Sequence, residues 1–269
     1  MASTTPTISV ERISIPRALP AFMHSLFGLP NDPASLYLSV DSDSLIIYAE
    51  PASTVNIVDL SQLNGALRQG DESALALKSF LETGTTIKVF FDARNPARTL
   101  FNRCGIKLAI ETCTKQAYIH EVQMMEVALR RRDTDHEWLA GFDKCIRRDS
   151  GLGANKLMPS SSDRDVEFDK RILHLPFLWK KYHDQLAKGR AGSGMLFWVA
   201  KIREATQKRL EESRGENHGR CNANGARSGW DKDSIEEWRD SWNEDVLMDA
   251  NTGGEWMGGA EHWAKFRVL

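Results

Sequence analysis

Three short runs of apolar and β-branched residues near the start of the chain constrain the fold more than any other feature. Residues 36–40 and 45–49 are almost continuously apolar, and only Asp41-Ser42-Asp43-Ser44 separates them. Residues 54–60 alternate polar with apolar side chains, as a half-buried strand does. Together the three runs predict a meander of antiparallel strands.

A helix, a strand and a second helix are predicted after this meander. Apolar residues recur at helical spacing between positions 74 and 81, and Gly84 follows as a C-terminal stop. Residues 86–91 are typical of a buried strand, and the next helix follows them directly. This order predicts an α/β fold in which parallel strands extend the antiparallel meander into a mixed sheet, with helices on both faces.

The second half of the chain, from Tyr118 onward, is predicted to be almost wholly helical. Residues 166–186 have helical periodicity with a break at Pro176, because proline can begin a helix but cannot lie inside one. Residues 195–210 predict a long amphipathic helix. Tryptophans recur after position 229, and we expect them to anchor the tail to the core; base stacking is the alternative.

Bulk composition is that of an ordinary globular protein. The 269 residues, 41% hydrophobic and 27% charged, are enough to bury a sizeable core. A formal charge of −2 argues against coating nucleic acid by charge alone, although it allows a local basic face. Neither a secretory signal nor an apolar stretch of roughly 20 residues is visible, so we expect no membrane association and a cytoplasmic or nuclear location. The cysteines lack metal-binding spacing, and we expect reduced, buried thiols.

Asp41 and Asp43 are the first candidates for chemistry. Residues two apart in a strand project to the same side, so both carboxylates can face one point above the sheet. Mg²⁺ favours oxygen ligands and is commonly held by one or two carboxylates together with a substrate phosphate. A polar hairpin turn is the alternative interpretation, because Asp and Ser are common in turns.

Several segments, in their order and spacing, resemble the DEDD superfamily of 3′–5′ exonucleases in its ribonuclease D-like branch. The resemblance covers roughly residues 34–210 and rests on residues 36–43, 55–60, 87–95, 122–126 and 175–179. It implies a ribonuclease H-like fold. Enzymes of this superfamily hold two metal ions with four acidic side chains; one ion activates the attacking water and the other stabilises the leaving oxygen. The resemblance therefore implies Mg²⁺ or Mn²⁺ as the cofactor if the protein is active.

Only two of the four acidic positions remain acidic under this resemblance. The first motif, Asp-x-Glu, is matched by Asp41 and Asp43, which is one methylene short at the second position. The Asp of the second motif falls on Pro96, which offers no ligand atom. The Asp of the third motif falls on Arg171, and Asp169 substitutes for it only if the alignment contains a gap. The resemblance thus implies a degenerate member with an incomplete two-metal site.

Arg171 has two interpretations at this stage. It lies on a predicted helical stripe whose other members are Phe168, Leu175, Leu178 and Tyr182. A cation facing inward needs a partner, so one hypothesis is that Arg171 pairs with Asp41 or Asp43 in the place of the metal. The other is that its side chain extends to solvent at the edge of the helix.

Three functions remain open, and the first is preferred. In the first, the protein binds RNA or single-stranded DNA with weak or no hydrolysis, or acts as an adaptor for a protein partner. The second is an active Mg²⁺-dependent 3′–5′ exonuclease with Asp41, Asp43 and Asp169 as a minimal site. The third is a protein-interaction scaffold without nucleic-acid binding, which the near-neutral charge favours.

The predicted organisation has four parts. Residues 1–18 are rich in Ser, Thr and Pro and predict a loose N-terminal arm. Residues 19–211 form the exonuclease-like domain. Residues 212–229 are polar, with repeated Gly and Asn, and predict a flexible linker. Residues 230–269 form a Trp-rich tail.

Overall fold

One mixed β-sheet and its surrounding helices make up the part of the chain that the computed structural model describes. The described residues are 8–15, 17–41, 43–83, 85–108, 118–150, 168–187, 194–215 and 228–251. The strands are β1 (Ser9–Ile13), β2 (Leu36–Val40), β3 (Ser44–Ala49), β4 (Thr54–Asp59), β5 (Lys88–Phe90) and β6 (Ile119–Glu121). The α-helices are α1 (Leu19–Leu26), α2 (Leu60–Gln69), α3 (Glu72–Thr83), α4 (Arg94–Cys104), α5 (Val122–Ala128), α6 (Phe142–Asp149), α7 (Leu175–Ala187), α8 (Gly194–Arg214) and α9 (Lys232–Asn251). Short 3-10 helices lie at Glu50–Ala52, Asp133–His136 and Lys170–His174.

The sheet confirms the predicted meander and its extension by parallel strands. The strand order is β1-β4-β3-β2-β5-β6. Strands β2, β3 and β4 pair antiparallel, whereas β5 pairs parallel with β2, and β6 pairs parallel with β5. Parallel neighbours need a crossover connection, and α4 lies in the crossover between β5 and β6. The C-terminal ends of β2, β5 and β6 consequently lie at one edge of the sheet.

Alternation along the strands divides the core between the two faces of the sheet. Leu36 and Leu38 of β2 belong to the cluster that also contains the buried side chains of α1 to α4. Tyr37, between them, belongs to the other cluster, which contains the buried side chains of α5 to α7 and most of those of α8 and α9. Successive side chains of a strand point to opposite faces, so both faces are buried and both carry helices, as predicted.

Strand β1 differs from the loose arm that the sequence predicted over residues 1–18. Its five residues pair parallel with β4, from Ser9 opposite Thr54 to Ile13 opposite Val58. Ile8 and Ile13 are buried in the two different core clusters, one on each face of the sheet. The expectation is therefore wrong for residues 9–13, because β4 supplies backbone partners and both faces supply apolar contacts. Residues 1–7 lie outside the described part of the chain.

The late helix begins further along the chain than its periodicity predicted. Asp169 accepts a hydrogen bond from the backbone N–H of Arg171 (3.1 Å) and starts the 3-10 helix Lys170–His174. Helix α7 then starts at Leu175 and has Pro176 in its first turn, where a missing N–H costs nothing. The predicted stripe is thus interrupted after Arg171. Residues 166–167 lie outside the described ranges.

The C-terminal segment packs on the core, as the anchoring interpretation of its tryptophans predicts. Trp230 is buried, and Trp238 and Trp242 pack against the same cluster. The backbone N–H groups of Gly229 and Trp230 donate to the carbonyls of Glu137 (2.7 Å) and His136 (2.8 Å). A Cβ on Gly229 would lie 2.1 Å from the carbonyl oxygen of His136, so only glycine permits this approach. Trp256, Trp263 and most of the predicted linker lie outside the described residues.

Two smaller expectations concern the thiols and the membrane. Cys104 and Cys145 are buried free thiols, and burial raises the pKa of each to about 11. Cys113, Cys221 and the predicted stop at Gly84 lie outside the described residues. Within the described part, no helix combines the length and the apolar character needed to cross a membrane.

Candidate nucleic-acid site

All the predicted site positions lie on segments around the C-terminal end of β2. Asp41 and Asp43 follow β2 directly, in the turn to β3. Pro96 lies in the first turn of α4, where the side-chain amide of Asn95 donates to the carbonyl of Val40 (3.4 Å). The 3-10 helix that contains Arg171 packs against β2. The fold therefore brings the four motif positions to the same end of the sheet.

Asp41 and Asp43 form a hairpin turn. Oδ1 of Asp41 accepts the backbone N–H groups of Asp43 (3.0 Å) and Ser44 (2.7 Å), and the backbone N–H of Asp41 donates to the carbonyl of Ser44 (3.1 Å). Asp43 is 65% exposed and pairs with Arg103 at 3.2 Å. Because β2 ends at Val40, the alternation of a strand does not direct these two carboxylates to one point. The hairpin interpretation describes their geometry.

Arg171 pairs with nearby carboxylates instead of with the hairpin. Its Nε and Nη2 donate to Oδ1 (2.9 Å) and Oδ2 (2.8 Å) of Asp169, and Nη1 lies 3.6 Å from Asp143 on α6. The guanidinium also lies over the ring of Phe142, 5.5 Å from its centroid. The hypothesis that Arg171 pairs with Asp41 or Asp43 is therefore wrong, because the interrupted helix places Asp169 within reach two residues earlier.

The electrostatics of Asp169 follow from this pairing. Burial alone would raise the pKa of its carboxyl group, but hydrogen bonds from Arg171 lower the pKa below its usual value. A carboxylate held by two charge-assisted hydrogen bonds is committed to its arginine. Asp169 is thus ionised and already paired.

A buried cluster that the sequence did not predict lies beside these positions, at the ends of β5 and β6. Nη2 of Arg209, from α8, contacts Asp92 after β5 (3.2 Å), Glu121 at the end of β6 (2.9 Å) and the side-chain oxygen of Gln123 (2.9 Å). Arg94 adds a second ion pair to Asp92, with Nη2 2.6 Å from Oδ2. One guanidinium is thus held between carboxylates from two neighbouring parallel strands.

The two carboxylates of this cluster have pKa values shifted in opposite directions. Burial raises the pKa of the fully buried Glu121 to about 7, and the charge of Arg209 only partly offsets the shift. Burial would also raise the pKa of Asp92, but the hydrogen bond from Arg94 and the charge of Arg209 lower it to about 2. Oε2 of Glu121 has no hydrogen-bond partner among the described residues. Pairs of acids with diverging pKa values are common at functional sites, and structural ion pairs produce them as well.

Sequence analysis missed this cluster, although one signal pointed toward it. Its candidate residues do not include Asp92, Glu121 or Arg209. Acidic residues that end two buried runs joined by one helical crossover are expected to meet at the same edge of a parallel sheet. The partner on α8, by contrast, has no signature in the sequence.

A pocket of about 820 Å³ opens next to this cluster. Its walls come from the start of α4, the C-terminal half of α8, and the segment between Ser228 and Trp238. The basic residues that line it are Arg94, Arg98, Lys201, Lys208 and Arg209. The acidic residues that line it are Asp92, Glu204, Glu212 and Asp231. The described lining does not include the motif positions Asp41, Asp43, Pro96, Asp169 or Arg171, so the pocket is a second feature of this end of the sheet.

In the described part of the chain, the acidic residues at this end of the sheet are engaged by other groups. Among the described residues, no group of three or more His, Cys, Asp or Glu side chains is arranged to hold a metal ion. Asp92 and Glu121 are the acidic pair from neighbouring strands, and a guanidinium lies between them. Mg²⁺ demands near-octahedral oxygen coordination, and Oδ1 of Asp41 is already used by two backbone N–H groups of the hairpin.

Comparison with known proteins identifies the fold. No protein-family model matches the chain, and no curated protein matches it. Among solved structures, it is similar to Trypanosoma brucei RNase D in complex with RNA U12, with a TM-score of 0.57 and 14% identity over 86% of this chain and 79% of that one. The same RNase D alone gives a TM-score of 0.51 and 13% identity, over 77% of this chain and 73% of that one. The complex of this RNase D with GMP gives a TM-score of 0.51 and 12% identity, over 77% of this chain and 64% of that one.

These likenesses define the class of fold. The six-stranded mixed sheet with helices on both faces is ribonuclease H-like and shares its arrangement with RNase D. At identities of 12–14% the likeness extends to the fold and not to individual catalytic residues. The expected fold class is thereby confirmed, and the roles of Asp41, Asp43, Pro96, Asp169 and Arg171 stay predictions.

Proposed function

We propose that this protein binds RNA or single-stranded DNA through its exonuclease-like domain and hydrolyses it weakly or not at all. The binding half is supported by the fold, since the RNase D that shares it has been solved in complex with RNA. The incomplete site is supported most directly by Arg171, which the sequence resemblance aligns with the third-motif acid and which engages both carboxylate oxygens of Asp169. The candidate substitute acid is therefore already paired with a cation.

The other motif positions support the same proposal. Pro96 is buried and has no ligand atom. Asp41 already accepts two backbone N–H groups, and Asp43 pairs with Arg103. These contacts hold one oxygen of Asp41 in the turn and place a guanidinium beside Asp43, and Mg²⁺ gives up its own hydration reluctantly. We therefore expect metal-dependent cleavage to be weak or absent.

The alternative is an active Mg²⁺- or Mn²⁺-dependent 3′–5′ exonuclease. In that case Asp41, Asp43 and Asp169 would hold the metal, and the metal would supply an activated water at the scissile phosphate. Arg171 would then have to release Asp169 when the metal binds. This requirement makes the alternative testable by the same experiment as the main proposal.

A gel-retardation and cleavage assay distinguishes the functions. The full chain is incubated with 12-nucleotide single-stranded RNA or DNA, labelled at the 5′ end, with Mg²⁺, with Mn²⁺ or with a chelator. We expect a retarded, full-length oligonucleotide under all three conditions. Shortening from the 3′ end that needs the metal would contradict the proposal and establish the exonuclease. No retardation at moderate salt would instead favour a scaffold that binds a protein partner.

Asp41→Asn is the variant that assigns any cleavage to the candidate site. An asparagine keeps the acceptor oxygen of the hairpin turn but loses the charge that a metal requires, so the hairpin should stay folded. Asp32→Asn, at an exposed position before β2, is the matched control. Cleavage that is lost in Asp41→Asn and kept in Asp32→Asn would prove that the carboxylate of Asp41 takes part.

A further inference from the structure

The pocket between α4, α8 and the start of α9 is separate from the predicted exonuclease motifs and has the size of a ligand site. Its volume of about 820 Å³ lies within the range of small-molecule and cofactor pockets, roughly 300–1,000 Å³. A mononucleotide fits in that space. The described part of the lining contains charged, amide, hydroxyl and aromatic groups, so the pocket is suited to a ligand with both polar and flat parts.

Two cations in this pocket are available to a ligand. Lys201 pairs with Glu204 at 2.8 Å, and both Arg94 and Arg209 are engaged by Asp92. Among the described residues, the only carboxylate within ion-pair distance of Lys208 is Glu212, at 3.8 Å, and both side chains are largely exposed.

Arg98 is the second available cation. It donates to the side-chain oxygen of Asn95 (3.0 Å), and no carboxylate of the described chain lies within ion-pair distance of it. Arg98 on α4 and Lys208 on α8 face the same pocket from two walls. Cationic side chains from two adjacent helices can hold one phosphate group by charge-assisted hydrogen bonds.

The third wall supplies aromatic surface. Trp230 and Trp238 line the pocket from the C-terminal segment. Trp230 is fixed by stacking on Trp198, with ring centroids 5.3 Å apart, and the ammonium of Lys201 lies 4.7 Å from the ring centroid of Trp238. Trp230 is buried, whereas Trp238 is only half-buried, so the ring of Trp238 is the surface on which a base can stack. Phosphate and base can thus be recognised in one pocket.

Asn95 connects this pocket to the end of the sheet that carries the predicted motifs. Its side chain lines the pocket and also donates to the carbonyl of Val40, the residue before Asp41. A nucleic-acid strand bound across the end of β2 would therefore lie one side chain away from the pocket.

We propose that this pocket binds a nucleoside phosphate, with Arg98 and Lys208 at the phosphate and the ring of Trp238 beside the base. The nucleotide is either the terminal one of a single strand or a free mononucleotide, since both present the same groups. Binding of a strand's terminal nucleotide rests on the proposed nucleic-acid binding, whereas binding of a free mononucleotide does not. The two are distinguished by using a strand and a mononucleotide as separate probes.

The test measures the binding of two kinds of probe to the full chain. Binding of a 5′-labelled 12-nucleotide single-stranded RNA is measured by anisotropy, and binding of unlabelled AMP and UMP by calorimetry and by competition with the strand. We expect both mononucleotides to bind and to displace the strand. Arg98→Ala and Lys208→Ala should each lower the binding affinity for both probes roughly tenfold, because each substitution removes one charge-assisted hydrogen bond.

Two variants with matched chemistry are the controls. Arg68→Ala removes an exposed arginine from the last turn of α2, outside the pocket. Lys180→Ala removes an exposed lysine with a loose partner four residues later, as Lys208 has, but on α7. Both variants should bind the probes with affinities within about twofold of that of the unchanged protein, because isolated exposed charges contribute little.

The outcomes separate this inference from the proposed function. Strand binding that is unaffected by Arg98→Ala and Lys208→Ala would overturn the pocket assignment and leave nucleic-acid binding in place. Equal losses in the pocket variants and the controls would also overturn it, since they would report overall charge. Mononucleotide binding that depends on Arg98, without strand binding, would support the pocket and contradict the proposed function. No binding of either probe would overturn both.

Discussion

Two arginines in this protein each hold two carboxylates, one at the surface and one in the interior. Arg171 is 48% exposed and contacts Asp169 and Asp143, which are themselves partly solvated. Arg209 is 12% exposed and contacts Asp92 and the fully buried Glu121. The contact distances overlap, so geometry alone does not distinguish the two clusters.

Burial gives these clusters different energetic roles. Ion pairs at the surface typically contribute between 0 and about 1 kcal/mol, because water screens the charges and solvates each partner when the pair opens. In the interior the carboxylate has no water to return to, so removing its cation leaves a charge that the protein cannot solvate. Arg171, which the sequence singled out, thus lies in the cluster that contributes little to stability. Arg209, which the sequence did not single out, lies in the cluster that contributes more.

Removing the interior cation is expected to have the largest effect. Arg209→Met keeps most of the side-chain volume and leaves Glu121 without its countercharge. We expect the free energy of unfolding at pH 8 to fall by about 3 to 5 kcal/mol. Urea denaturation followed by tryptophan fluorescence measures this loss. At pH 5 the loss should be smaller, because Glu121 is then mostly protonated.

The control for this variant is on the same helix, one residue away. Lys208→Met removes an exposed lysine, and we expect a change of no more than about 0.5 kcal/mol. Adding Glu121→Gln to Arg209→Met should recover part of the lost stability, since the buried charge is then gone as well. A loss below about 1 kcal/mol in Arg209→Met would show that the cluster is solvated and that the comparison is wrong.

The pH dependence of stability is expected to show the next largest effect. Burial raises the pKa of Glu121 in the folded protein to about 7, from an ordinary value of 4.5. The folded state therefore keeps this proton at pH values where the unfolded chain has lost it. The stability that the group contributes is complete below about pH 4.5 and is lost as the pH rises through 7. Between pH 5 and pH 7.5 the decline should be on the order of 2 kcal/mol.

Glu121→Gln isolates this contribution. The amide does not titrate, so the free energy of unfolding of the variant should lack the decline that the unchanged protein shows between pH 5 and pH 7.5. Other groups titrate alike in both proteins and cancel in the difference; the lowered pKa of His174, caused by burial, is one of them. Parallel curves for the two proteins would mean that Glu121 ionises normally and is accessible to water.

The parts of the fold that were predicted correctly depend on local patterns. Residues of β2, β3 and β4 alternate or run apolar within segments of five or six residues, and the turn between β2 and β3 is formed by adjacent polar residues. Strand β1 was missed because an edge strand with Ser9, Glu11 and Arg12 lacks that pattern and is stabilised by its pairing with β4.

The candidate site was harder to predict, for two physical reasons. Arg209 meets Asp92 and Glu121 only after the chain has folded back over some 90 to 120 residues, and no local periodicity encodes that contact. The partner of Arg171 was predicted incorrectly for the opposite reason, because here a local contact decided the outcome. A local hydrogen bond from its own N–H to Asp169 starts a 3-10 helix at Lys170, and helical periodicity does not account for such a competing turn.

Removing the surface cation is expected to have the smallest effect. Arg171→Ala breaks the contacts with Asp169, Asp143 and the ring of Phe142, but all three groups keep access to water. We expect the free energy of unfolding to fall by no more than about 1 kcal/mol, and the difference to shrink further in 0.5 M salt because exposed charges are screened. Urea denaturation at low and high salt checks both statements. A salt-independent loss above about 2 kcal/mol would place Arg171 in the same class as Arg209 and remove the distinction between the two clusters.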